Sequence, residues 1–182
     1  MSHLTGKKIA IIASDWFEEP ELLVPRDKLR EAGADVKVYS PSGEPIQATQ
    51  GDVNPTQKVE VDGTLDDVDI SDVDALVVPG GSVNADHLRM DERAQQLVTQ
   101  ADEAGKPLAI ICHGPWLLVS AGRAKGRRVT SWPSLADDLR NAGAEWVDEE
   151  VVVDDNLITS RKPDDLPAFV GSIEASLTGA AV

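Results

Sequence analysis

Three short apolar runs, none of which alternates with polar residues, constrain the fold of this chain more than any other feature. They cover residues 7–13, 75–78 and 107–111. Unbroken apolar runs of this length are typical of strands that are buried on both faces of a parallel sheet. The chain is therefore expected to build its core around such a sheet.

The segments between these runs have helical or turn character, and an alternating run at 35–39 predicts a further strand. Stretch 44–70 is polar and irregular, with room for a hairpin, and two β-rich runs within 145–160 predict a hairpin around 154–156. Helices are predicted over residues 21–31, 91–103, 115–121, 137–141 and 163–177. Strands that alternate with helices predict an α/β fold, a flavodoxin-like three-layer sandwich with a mostly parallel sheet and helices on both faces.

Length and charge narrow the class of protein. The chain has 182 residues, which predicts one domain over 1–182, with its core at about 7–175. Its net charge of −15 disfavours nucleic acid and anionic membranes as partners. The N-terminal residues lack the apolar stretch of a signal peptide, no apolar run reaches membrane-spanning length, and the single cysteine can form no internal disulfide. We therefore expect a cytoplasmic protein.

In open parallel sheets, ligands bind beyond the carboxyl ends of the strands. Each of three predicted strands is followed by a segment whose residues could carry chemistry. These segments are 14–18, which ends in Glu18, 79–81, which ends in Gly81, and 112–114. These segments are expected to meet in space and to form the functional site.

Cys112 has the strongest signal for a reactive residue. A buried strand runs directly into it, Gly114 leaves the turn free of a side chain, and Pro115 suits a first helical turn. This is the layout of a nucleophile elbow, with cysteine in place of serine. The N-terminus of the following helix predicts a thiol pKa below its usual value. The alternative is a buried structural cysteine.

The neighbouring candidates each have two interpretations. His113 could be a general base or a spacer, and Glu18 could be a site acid or part of a charged loop before a helix. Gly81 could belong to a plain turn or offer its N–H group to an oxyanion. Neither metal-ligand spacings nor glycine-rich nucleotide motifs occur, so no cofactor is expected.

Five segments in order resemble the PfpI-like family, the intracellular protease I and general-stress-protein branch of the Parkinson-associated deglycase superfamily. The resemblance covers roughly residues 7–175. The segments are F-E-x-x-E-L at 17–22, A-L-V-V-P-G-G at 75–81, G-K-P-x-A-x-I-C-H-G-P at 105–115, A-G-A-E-W-V-D-E-E-V-V-V-D at 142–154 and T-S-R-x-P-x-D-L-P-A-F at 159–169.

The resemblance implies roles for five residues. Cys112 is the nucleophile, Glu18 is the acid that hydrogen-bonds its sulfur, and His113 is the triad histidine. The acid partner of the histidine comes from a neighbouring subunit and, counted back from Arg89, falls on Asp86. There the loop after Gly81 looks one residue longer and Asp replaces the usual Glu. The N–H groups of Gly81 and His113 form the oxyanion hole.

The family includes proteases, glyoxalases that convert methylglyoxal to lactate, and deglycases that repair early glycation adducts. All use attack of a thiolate on an electrophilic carbonyl. The resemblance implies a stress-response hydrolase whose substrate is a small aldehyde or a glycated protein, assembled as a homo-oligomer (dimer or hexamer). The alternatives are an intracellular cysteine peptidase, a redox sensor or chaperone that uses an oxidisable Cys112, and a structural binding domain with an inert thiol.

Overall fold

The computed structural model describes residues 2–180. That range contains twelve strands and six α-helices, and the predicted mixture of strands and helices is confirmed. The strands are β1 (Lys8–Ile12), β2 (Phe17–Glu18), β3 (Asp35–Ser40), β4 (Ile46–Gln50), β5 (Asn54–Val59), β6 (Gly63–Thr64), β7 (Ala75–Val78), β8 (Leu108–Ile111), β9 (Arg128–Val129), β10 (Glu145–Trp146), β11 (Val151–Asp154) and β12 (Leu157–Ser160). The helices are α1 (Glu19–Glu31), α2 (Ser82–Met90), α3 (Glu92–Glu103), α4 (Pro115–Ser120), α5 (Ala136–Asn141) and α6 (Leu166–Thr178).

The main sheet has seven strands in the order β11-β12-β8-β7-β1-β3-β6. All neighbouring pairs are parallel except β11 and β12, which form the antiparallel hairpin predicted around 154–156. The three unbroken apolar runs are β1, β7 and β8, adjacent strands at the centre of the sheet. The expected mostly parallel α/β sandwich is therefore confirmed.

Burial on both faces explains why these strands do not alternate. Ile9 and Ile11 of β1 pack with α1 and α6 on one face of the sheet. Ala10 and Ile12 point the other way and belong to the cluster that includes α2, α3, α4 and α5. A parallel sheet covered by helices on both sides requires apolar residues at every position of its central strands.

The polar stretch 44–70 contains a hairpin, as the sequence had suggested. Strands β4 and β5 pair antiparallel, and β4 also pairs with the two-residue strand β2. This small second sheet carries the hairpin turn at 51–53 to the carboxyl edge of the main sheet, where Ser82 donates its N–H to Asp52.

Helix α2 was not predicted, and its sequence shows why. Only Asn84, Ala85 and Leu88 are buried in it, and Val83 and Met90 are exposed, so the apolar stripe that signals a helix is missing. Other boundaries move slightly: α1 begins at Glu19, and a single 3₁₀ turn at Pro163–Asp165 precedes α6.

Among residues 2–180, none of the helices combines the length and the hydropathy needed to cross a membrane.

Candidate active site

Cys112 follows β8 directly and has φ 65°, in the left-handed region that residues with a Cβ rarely occupy. Two flanking segments hold this conformation. The Cys112 N–H donates to the carbonyl of Ser160 at 3.0 Å, and its carbonyl accepts from the N–H of Trp132 at 2.9 Å. Strain of this kind persists where the surroundings over-determine the backbone, as at a nucleophile elbow.

The loop after β7 packs directly on the elbow, and two glycines make this possible. A Cβ on Gly80 would lie 2.6 Å from the Cβ of Cys112, so a side chain there would collide with the elbow. Gly81 has φ 90°, and a Cβ on it would lie 2.6 Å from the carbonyl oxygen of Trp16 and 2.7 Å from the Glu18 nitrogen. The three segments expected to meet therefore do so, at backbone contact distance.

The sulfur of Cys112 is surrounded by hydrogen-bonding groups although only 6% of the residue is exposed. The backbone N–H groups of Gly81 and His113, the two expected to form the oxyanion hole, lie beside it and lower its pKa. The Nδ1 atom of the His113 ring lies 3.3 Å from the sulfur.

Glu21, and not the expected Glu18, is the acid that meets the thiol. Its side chain is fully buried, one oxygen accepts the Gly80 N–H at 3.0 Å, and the carboxyl interacts with Cys112. The other oxygen has no regular hydrogen-bond partner within residues 2–180. Burial and then the charge of Glu18 raise the pKa of Glu21 well above its usual value, which favours a protonated carboxyl that can donate to the sulfur.

Glu18 does not take the role expected of it at the sulfur. Its carboxylate accepts the N–H groups of Gly51 at 2.9 Å and Asp52 at 3.1 Å. The reason is the pairing of β2 with β4, which directs the Glu18 side chain to the hairpin turn. Glu21 lies one helical turn further along α1, on its elbow side. Glu21 could have been found from its spacing. It precedes the buried residues Pro25 and Leu29 at intervals of four, which places an acid on the apolar stripe of the helix.

The pKa of Cys112 is raised, not lowered as the sequence predicted. Burial is the main cause, and the negative charge of an ionised Glu21 is the second. The two N–H bonds to the sulfur oppose them. The prediction relied on the dipole of the following helix, but α4 has only six residues and the thiol is more deeply buried than that argument assumed. Protonation of Glu21 removes the second cause.

His113 is held between two indole rings. The Trp132 ring stacks on it at 6.0 Å, and the Trp116 ring meets it edge-on at 5.3 Å. Burial lowers the pKa of His113, which the charge of Asp52 opposes. A neutral imidazole fixed beside the sulfur can accept the thiol proton.

Asp86 lies apart from this cluster within one chain. It is an exposed residue of α2, not of a loop as expected. Within residues 2–180, no carboxylate of the same chain hydrogen-bonds the His113 ring. The histidine therefore has no intramolecular acid partner in the described part of the chain.

Asp52 also belongs to the site, although no sequence motif indicates it. It lies in the hairpin turn with φ 67° and accepts the Ser82 N–H at 2.9 Å. Its charge raises the pKa of Cys112, His113 and Glu21, although it is the leading cause for none of them. The dipeptide Gly-Asp predicts a turn, but nothing local indicates that the turn reaches the elbow.

A cavity of about 260 Å³ opens beside Cys112. It is lined by Glu18, Gly51, Asp52, Cys112, His113, Trp132 and Pro163. Two carboxylates, an imidazole and a thiol thus share one opening with an indole face. Across residues 2–180, no cluster of three or more His, Cys, Asp or Glu side chains is arranged to hold a metal ion.

Several known proteins are similar to this chain in sequence and in fold. General stress protein 18 of Bacillus subtilis is 44% identical over 166 residues, which cover 90% of this chain and 94% of that protein. Protein/nucleic acid deglycase 2 of Escherichia coli is 42% identical over 166 residues, with the same two coverages. The crystal structure of Drosophila melanogaster DJ-1beta is 32% identical with a TM-score of 0.86, covering 95% of this chain and 91% of that one.

A family model gives the same result as these relatives. The model of the DJ-1/PfpI family matches residues 7–175, nearly the whole chain and all the segments that form the elbow and its surroundings. The chain therefore belongs to the DJ-1/PfpI family.

Proposed function

We propose that this protein is a cysteine-dependent hydrolase of reactive carbonyl compounds, either methylglyoxal-type dicarbonyls or the early glycation adducts that they form. The observation that carries the proposal is the position of Cys112, which has a strained backbone, lines a small cavity and has the His113 ring 3.3 Å from its sulfur. The backbone N–H groups of Gly81 and His113 lie beside the sulfur and lower its pKa. Deglycases among the relatives support hydrolysis as the class of reaction.

In the proposed reaction, the Cys112 sulfur attacks the aldehyde carbon while the neutral His113 imidazole takes the thiol proton from 3.3 Å away. The carbonyl oxygen becomes an oxyanion, which the N–H groups of Gly81 and His113 stabilise, and the proton held by the imidazole converts it to the hydroxyl of a hemithioacetal. For methylglyoxal, a proton then moves from the former aldehyde carbon to the neighbouring ketone carbon, and the hydroxyl proton of the hemithioacetal moves to the ketone oxygen, which gives the thioester of lactate. Water cleaves the thioester to release lactate and restore the thiol.

The acid that orients His113 is proposed to be Asp86 of a neighbouring copy. His113 has no carboxylate partner within its own described chain, and Asp86 is exposed on α2 beside two exposed apolar residues, Val83 and Met90. A self-associating surface that includes α2 would cover these side chains and bring an acid to the histidine of the partner.

The size of the cavity favours a small carbonyl group over a polypeptide segment. A space of about 260 Å³ lies below the roughly 300–1,000 Å³ range of pockets that enclose drug-sized ligands. Seven residues line this space, Trp132 and Pro163 among them, which is a small surface for holding a peptide segment. Peptidase activity is therefore the weaker alternative.

The deciding experiment measures lactate formation from methylglyoxal, and release of free arginine from a purified methylglyoxal–arginine adduct, with wild type, Cys112→Ala and His113→Ala. Purified adduct separates true deglycation from scavenging of free methylglyoxal. The proposal expects both variants to be nearly inactive. Full activity in Cys112→Ala would overturn it.

A redox sensor is the competing function, and the same variants distinguish it. A sensor depends on oxidation of Cys112 and on its neighbouring acid, but not on His113 as a base. Carbonyl turnover that is absent in wild type, together with peroxide oxidation that survives His113→Ala, would identify a sensor.

A further inference from the structure

The peptide group between Gly80 and Gly81 lies beside Cys112 and is held in place by a buried side chain. Its N–H, on Gly81, lies beside the Cys112 sulfur and lowers the pKa of the thiol. Gly80 packs so closely on the elbow that a Cβ on it would lie 2.6 Å from the Cys112 Cβ. The carbonyl of this peptide group, on Gly80, belongs to the same rigid plane and points the opposite way. Any group that fixes the carbonyl therefore fixes the direction of the N–H.

Asn84 is the side chain that holds this carbonyl. Its Nδ2 atom donates to the Gly80 oxygen at 2.9 Å and to the Pro79 oxygen at 3.1 Å. Its Oδ1 atom accepts the Ser14 N–H at 2.6 Å, in the segment that follows β1. Asn84 is fully buried, so these bonds are made without competition from solvent.

The amide is suited to this position because it donates and accepts at once. Its two donor hydrogens reach two carbonyls of one strand end, and its oxygen reaches the amide of another strand end. An aliphatic side chain would leave three buried backbone groups short of a partner. The N–H of Glu18 also donates to the Gly80 oxygen, at 3.3 Å. The hydrogen bond from Asn84 is the shorter of these two.

We propose that Asn84 is a positioning residue: by holding the Gly80 carbonyl it aims the Gly81 N–H at the Cys112 sulfur. It is not among the residues that line the cavity, so it acts through the peptide plane. The proposal rests on the proposed role of Cys112 as nucleophile, and adds the residue that pre-organises the donor opposite it.

The test is the pH profile of Cys112 alkylation by iodoacetamide, which requires the thiolate but no natural substrate. Besides the thiol, the titratable groups facing this site are Glu21 on α1, Glu18 on β2, Asp52 in the hairpin turn and His113 on the elbow. Asn84→Ala changes none of them. Loss of a well-aimed N–H is expected to move the midpoint upward by about one pH unit, so that alkylation below the midpoint is about tenfold slower. The plateau rate at high pH is expected to stay near the wild-type value.

Controls separate positioning from simple destabilisation. Val98→Ala removes two buried methyl groups on α3, on the opposite face of the sheet from Cys112, and is expected to leave the midpoint unchanged. Asn84→Ser provides a milder variant in case Asn84→Ala does not fold. In the wild type, the Gly81 amide proton resonance is expected to titrate with the alkylation midpoint, which requires no variant.

An unchanged midpoint in a folded Asn84 variant would overturn the proposal, as would a Gly81 resonance that ignores ionisation of the thiol. Because alkylation does not depend on turnover, a protein without carbonyl hydrolase activity can still pass or fail this test. The proposed function and the role of Asn84 therefore fail separately.

Discussion

The side chains of Glu21 and Cys112 lie against each other beneath the elbow, the carboxyl fully buried and the thiol 6% exposed. Burial raises the pKa of both groups, and the charge of an ionised Glu21 raises the pKa of Cys112 further, so the two do not both ionise readily in one desolvated space. The pair is best described as sharing its protons. A protonated Glu21 makes the sulfur a hydrogen-bond acceptor, which suits a thiolate or an oxidised sulfur with a negative charge.

Replacing Glu21 by Gln is expected to change how stability depends on pH. Burial raises the pKa of Glu21, so the folded protein keeps a proton that the unfolded chain releases above about pH 4.3. The stability of the wild type relative to Glu21→Gln should therefore fall as pH rises from there to the folded-state pKa, by up to about 1.4 kcal/mol per pH unit. Urea unfolding at several pH values measures this difference, with Glu150→Gln as the exposed-glutamate control. A difference that stays constant would show that Glu21 is ionised in the folded protein.

Mild peroxide is expected to add two oxygens to Cys112. The sulfur attacks one peroxide to give sulfenic acid and water, and a second peroxide gives the sulfinate. A hydrogen bond from protonated Glu21 to the sulfinate is worth about 1.5–3 kcal/mol and should hold the product at that stage. Intact-mass spectrometry with peptide mapping is expected to show a different product distribution in Glu21→Leu.

The matched control for this oxidation is Glu18→Gln. Glu18 bonds the hairpin turn and not the sulfur, so its loss should leave the distribution close to that of the wild type. If Glu18→Gln changes the oxidation products and Glu21→Leu does not, our assignment of the sulfur's acid partner is reversed.

Asp86 is expected to act on the histidine of a neighbouring copy. Cys112→Ala and Asp86→Ala should each be nearly inactive, and a mixture of the two should regain activity after subunits exchange, because one active site then has both residues. Light scattering should show at least a dimer at micromolar concentration. Persistent inactivity of a mixture that has demonstrably exchanged subunits would remove Asp86 from the site, as would a monomer.

The carboxylate of Asp52 should select reagents by charge. Methanethiosulfonates with a positive or a negative end react with the same thiol, so their rate ratio reports the local potential. Opposite unit charges at about 4 Å interact by about 1 kcal/mol even in water, so Asp52→Asn should lower the cation-to-anion ratio about fivefold or more. Asn keeps the oxygen that accepts the Ser82 N–H. Asp66→Asn, a distant exposed carboxylate, should leave the ratio unchanged.

Gly81→Ala is expected to destabilise the fold by more than Gly122→Ala. Both glycines have positive φ, 90° and 71°, so both variants carry backbone strain of about 1 kcal/mol or more. Gly81 also has ψ 130°, outside the left-handed helical region, which makes a side chain there less favourable still. Only at Gly81 would the new Cβ meet backbone atoms, at 2.6 and 2.7 Å, while nothing lies within 4 Å of the Cβ position at Gly122. Thermal unfolding of the two variants measures the difference, and equal losses would contradict the prediction.

The sequence by itself determined the central strands and the tight turn that presents Cys112. Hydrophobic pattern and turn chemistry are local, so residues 107–115 indicate a buried strand, a tight turn and a helix start without reference to the rest of the chain. Helix α2 was not predicted because few of its side chains are buried. One of these, Asn84, is polar and does not contribute to an apolar pattern.

Only the tertiary structure decided which groups surround the sulfur. Glu18 and Glu21 are three residues apart on one segment, and strand pairing of β2 with β4 sends the first to the hairpin turn and leaves the second under the elbow. Asp52 lies in a hairpin turn that no local sequence pattern places beside the elbow. The direction of the Cys112 pKa was equally beyond local analysis, because burial depends on every element packed around the thiol, whereas the helix dipole can be inferred from the adjacent residues alone.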